Sequence, residues 1–260
     1  MGHVRLGVLP RSRKWRQVVE DLRLGASAER VAGLAATAAE KSLQKASNDP
    51  AFLHSFWLLT QLPLAARGPA FVEDLASLGL SVPDRPGFMS VLAALSDAVD
   101  DRVRTEGGRT DLGEMAQMAA VESLTATVAP TLSSLFRPEP EDVQRAIGRV
   151  ASGDRFAALA RDFFARITQR ILGYFLSREL SKHIGDGGRF VDDHARSQFD
   201  RALQQVCKEA SSIIEQFAGD WYGKAIYHGQ GLTTEAIRRF APVALKKIRD
   251  ELRKRRDAIE

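Results

Sequence analysis

The sequence predicts an all-α protein: a multi-helix assembly with a C-terminal three-helix antiparallel bundle of long helices and a short extended N-terminal arm. Three observations carry this. Beyond residue 10, apolar side chains recur at intervals of three and four along nearly the whole chain, the period of a helix face. Gly and Pro gather between those periodic runs, where they punctuate helices. The one stretch with a period of two, His3 to Leu9, has no convincing second strand to pair with. With 260 residues, 44% of them hydrophobic and 27% charged, the chain is long enough and apolar enough for a substantial core.

In residues 1–10, Val4, Leu6 and Val8 alternate with His3, Arg5 and Gly7, and Pro10 ends the run. This reads as an extended arm whose unpaired backbone needs an outside strand or a second copy, or else as a coil lying across the helices with Val4 and Leu6 in a groove. A helix carrying Trp15, Val18, Val19 and Leu22 follows. Ser27 is placed to cap a helix through about Ala46, and Asn48-Asp49-Pro50 puts a cap before a proline at the first helical position. That next helix should bend or stop at Pro63, and a short helix after Gly68-Pro69 is closed by Gly79. Another runs from about Phe88 to Arg104. Asp111 with Glu114 fits a capping box for a helix to about Phe136, kinked at Pro130. Pro138 and Pro140 then mark the best boundary, dividing a short-helix region, 11–137, from a long-helix region, 138–260, that can still share one core with it.

From Asp154 the pattern changes to three long segments. About 155–183 places Phe156, Leu159, Phe163, Ile167, Ile171 and Phe175 on one face. About 190–223 steps through Val191, Ala195, Phe199, Ala202, Val206, Ala210, Ile213, Phe217 and Trp221. About 233–257 steps through Ile237, Ala241, Leu245, Ile248 and Leu252. Joined by short loops, such rods form an antiparallel bundle, with alanines on the seam allowing close approach.

Composition narrows the function classes. No window reaches the roughly 18 uncharged apolar residues of a membrane span, since the best stretch, 51–66, holds His54, Gln61 and Pro63. Arg5 interrupts the only apolar run at the N-terminus, so no secretory leader is expected there. The single Cys207 excludes an internal disulfide and a cysteine zinc site, and beside Val206 it reads as a packed thiol. A cytoplasmic location follows. Arg outnumbers Lys 28 to 9, as GC-rich bacterial coding produces. The net charge of +4 is segregated: the two ends are basic, and 67–143 is acidic.

Four places carry candidate chemistry. The connector HIGDGGRFVDDH, 183–194, offers His183, Asp186, Asp193 and His194 to a metal. The simpler reading is glycines for positive φ and aspartates at a helix start, so no metal and no cofactor is expected. In the same region Arg178 to His183 and Arg189 to His194 both read Arg-x4-His. This spacing resembles the short motif of HEPN-type helical ribonucleases; the resemblance covers six residues and implies that Arg178 and His183 act on the scissile phosphate and on the proton of the attacking 2′-hydroxyl. The Gly-rich stretch 219–231 presents Trp221, Tyr222, Tyr227 and His228, aromatics with polar tips suited to a partner surface or to capping the bundle. Finally Arg11, Arg13 and Lys14 at one end and Arg249, Arg253, Lys254, Arg255 and Arg256 at the other can neutralise phosphates or pair within the fold.

No P-loop, dinucleotide fingerprint or zinc-hydrolase motif occurs. The expected function is therefore a non-enzymatic interaction subunit of a bacterial cytoplasmic complex. Its partner would be another protein subunit, or its own copy through Val4, Leu6 and Val8. A nucleic-acid-binding module and a helical ribonuclease are the alternatives.

Overall fold

Helix caps set where each element begins. In a computed structural model describing residues 5–6, 12–106, 108–132, 138–185, 187–227 and 232–259, the chain is all-α. The helices in order are α1 (Arg13–Arg23), α2 (Ala28–Ala38), α3 (Glu40–Ala46), α4 (Pro50–Ala65), α5 (Phe71–Ser77) and α6 (Phe88–Glu106). After them come α7 (Asp111–Val128), α8 (Pro140–Gly148), α9 (Gly153–Leu180), α10 (Asp193–Ala210), α11 (Glu215–Tyr227) and α12 (Thr234–Asp257). Ser12, Ser27, Asp49, Thr110, Asp192 and Thr233 each accept a first-turn backbone N–H, satisfying donors that a helix start leaves orphaned. None of the helices is long and apolar enough to cross a membrane, among the described residues.

Several boundaries differ from expectation. The helix begun at Ser27 breaks at Ala39, and the α7 cap is Thr110 rather than Asp111. Pro63 does not end α4, which continues to Ala65, because a proline in the last turn removes few ladder bonds. The second long segment is not one rod: α10 and α11 are separated by a 3₁₀ stretch, Ser211–Ile214. Four residues at about 120° each, instead of about 100°, advance the buried face by about 80°, close to one residue's step. Hence Ile214, Ala218 and Tyr222 are buried, while Ile213, Phe217 and Trp221 are only half-buried. Val191 and Ala202 also leave the expected seam; both are exposed, and Leu203 takes the inward position.

Residues from Trp15 to Leu252 form one hydrophobic cluster, so helices on both sides of the 137–140 break share a core. The long α9 lies inside it, packed by α7, α10 and α11. Its six predicted core residues are all buried, and Phe164, Leu172 and Leu176 extend the apolar surface round the helix. Phe56 of α4 sits among Phe163, Phe164 and Phe240, with ring centroids 5.0–5.7 Å apart. The C-terminal segments pack together, yet α12 lies most extensively against α2. Small residues on α2 permit this: a Cβ at Gly33 would lie 2.7 Å from Arg256 Cβ and 2.8 Å from the Leu252 carbonyl oxygen.

Candidate functional site

A cavity of about 1070 Å³ forms an open groove between α1 and the connector from α9 to α10. The connector's shape follows from its glycines. Gly185 and Gly187 have positive φ, and a Cβ at Gly188 would lie 2.5 Å from the His183 carbonyl oxygen. The turn closes through Phe190 N–H to His183 O and Gly185 N–H to Phe190 O, both 2.9 Å, forming an isolated bridge between Ile184 and Phe190.

Arg189 pins this turn to α1. Its guanidinium donates to the Leu22 carbonyl at 2.9 Å and to the Ala26 carbonyl, where a helix end leaves acceptors unpaired. It also lies over the Phe199 ring, 4.4 Å from the centroid. Burial lowers its pKa, although its ordinary value is so high that it stays charged.

Beside the groove lie two buried side-chain nitrogens without a hydrogen-bond partner among the described residues. Trp15 is 2% exposed, its ring lies tilted against Phe175 with centroids 5.1 Å apart, and its Nε1–H has no hydrogen-bond partner among the described residues. His183 Nε2 is likewise buried and unpartnered. Arg16 and Arg23 line the α1 side, exposed and without ion pairs among the described residues. Opposite them, Lys182 is held by Glu179 at 2.6 Å. Leu24, in the lining, is 79% exposed, and Val191, two residues after Arg189 in the connector, is 85% exposed.

The remaining connector residues have local duties. Asp192 caps α10 through Ala195 N–H at 2.8 Å, Asp193 pairs with Arg196 at 3.4 Å, and His194 bonds Gln198 at 2.9 Å. Asp186 lies outside the described residues, among which no group of three metal-suited side chains gathers.

The two Arg-x4-His pairs fall in the last turns of α9 and in the connector. Arg178 turns back over the Tyr174 ring, 5.1 Å from its centroid, while His183 faces the groove; Arg189 and His194 are committed as above. Cys207 is fully buried, and burial pushes its thiol up to about 12.

The aromatic stretch divides. Tyr222 is a core residue, not a partner-facing one: it is fully buried, stacks on Phe156 at 3.8 Å, and its hydroxyl donates to Thr60 O at 3.1 Å. Burial raises its pKa accordingly. Trp221 stacks on Phe240 at 4.2 Å, half-buried, and Tyr227 is 87% exposed. His228 lies outside the described residues, as do Val4, Val8 and Arg11. Leu6 points inward rather than out: it packs on the hydrophobic cluster, and its N–H donates to the Asp111 carboxylate at 2.7 Å.

The C-terminal cations are paired internally. Arg249 bonds Glu40, Arg253 reaches Asp250 at 4.0 Å, and Lys254 bonds Glu251 at 3.3 Å. Arg255 bonds Glu209 at 2.8 Å, and Arg256 bonds Asp257 at 2.5 Å. Lys14 also reaches Glu40, at 3.9 Å, so the two basic ends meet there; Arg13 is exposed, with no ion pair among the described residues.

Comparison with protein-family models, curated proteins and solved structures gives no match.

The groove itself was not read from the sequence. Trp15 and His183 belong to segments far apart in the chain, and the packing of Trp15 on Phe175 together with the Arg189 anchor to α1 brings them to one groove. The available signals were separate: a tryptophan among basic residues on one helix, and a diglycine turn elsewhere.

Proposed function

We propose that this chain is a non-enzymatic interaction subunit of a bacterial cytoplasmic multiprotein assembly, and that its partner docks in the groove between α1 and the α9–α10 connector. The supporting observation is the open groove itself, of about 1070 Å³, whose α1 side carries exposed Arg16, Arg23 and Leu24. Exposed Leu24 and Val191 favour a protein surface, which can cover apolar area as it binds.

Recovery of the native complex with Leu24→Glu/Val191→Glu and with a Met89→Glu control tests this. Met89 is as exposed as the rim residues but lies on α6. A partner protein lost only with the groove variant is expected. A complex that survives the groove variant overturns the reading.

A second reading, a nucleic-acid module, is favoured by one observation: Glu40 draws Lys14 and Arg249 together, so the basic ends form one surface. Its sign is a salt-dependent mobility shift with DNA or RNA, lost in Arg13→Ala/Lys14→Ala.

A further inference from the structure

We draw no further inference here: the strongest candidate, the open groove between α1 and the α9–α10 connector, belongs to the site already described, and nothing in the structure shows the charge or kind of ligand that it would receive.

Discussion

The hydroxyl that caps α7 is bonded to the carboxylate that caps α4: Thr110 Oγ1 donates to Asp49 Oδ2 at 2.7 Å. Asp49 Oδ1 accepts from Ala51 and Phe52 N–H, and Thr110 Oγ1 accepts from Gly113 N–H. Two helix starts therefore share one hydrogen-bonded unit, and the helices can approach there only because residue 113 is glycine, whose Cβ would lie 2.7 Å from Ala51 Cβ.

Thr110→Ala is expected to destabilise the protein by about 1–2 kcal/mol, the cost of a lost cap plus a buried acceptor left short of one bond. Asp49→Ala should cost more, about 2–3 kcal/mol, since three donors lose their acceptor. Denaturant unfolding of both variants and the double variant gives the coupling. Strict additivity would mean that the Thr110–Asp49 bond contributes nothing of its own.

Asp49 was legible as a cap because proline follows it, and Ser27 because a periodic helix follows it. The link to Thr110 was not, because side chains 61 positions apart meet through packing, which local pattern does not encode. The same division holds at the groove. The positive-φ glycines of the connector were readable, but the attachment of Arg189 to the end of α1 was not. Nor were the pairings of the C-terminal cations with Glu40 and Glu209, on other helices. The seam of α9 was read correctly along its length because one uninterrupted period governs it. The seam of α10 and α11 was read correctly only in part, because no residue in SSII, 211–214, announces a change of helical pitch.

That pitch change gives a second expectation. Ile214→Ala should cost about 2–5 kcal/mol, as for other fully buried aliphatic residues, and Ile213→Ala distinctly less. Reversed costs in urea unfolding would mean that the helical face runs unshifted from α10 into α11.

Glycines in two helices should respond with opposite signs. Gly33→Ala forces a methyl group against the α12 backbone and is expected to destabilise by about 1–3 kcal/mol. At Gly173, within α9, a Cβ meets nothing within 4 Å, so Gly173→Ala should stabilise by about 0.5–1 kcal/mol through helix propensity. Melting temperatures of the two variants against the parent check this. A stable Gly33→Ala protein would mean that α2 and α12 separate more easily than their contact implies.

The last expectation concerns pH. His54 stacks on Trp57, ring centroids 5.4 Å apart, and burial lowers its pKa from 6.5 to about 4, with Arg102 adding to the effect and Glu106 opposing it. Above pH 6.5 the ring is neutral in both folded and unfolded chains, and this group makes no difference. As pH falls below 6.5 the unfolded chain takes up the proton first, so the folded state loses stability progressively until about pH 4, where both forms are charged. Solvent still reaches part of the ring, which reduces the loss to about 1–2 kcal/mol. His54→Phe keeps an aromatic ring beside Trp57 and removes the titration. Between pH 7 and pH 4 the wild type should therefore lose about 1–2 kcal/mol more than this variant in urea unfolding, and parallel curves would show that the His54 ring gains its proton as readily in the folded protein as in the unfolded chain.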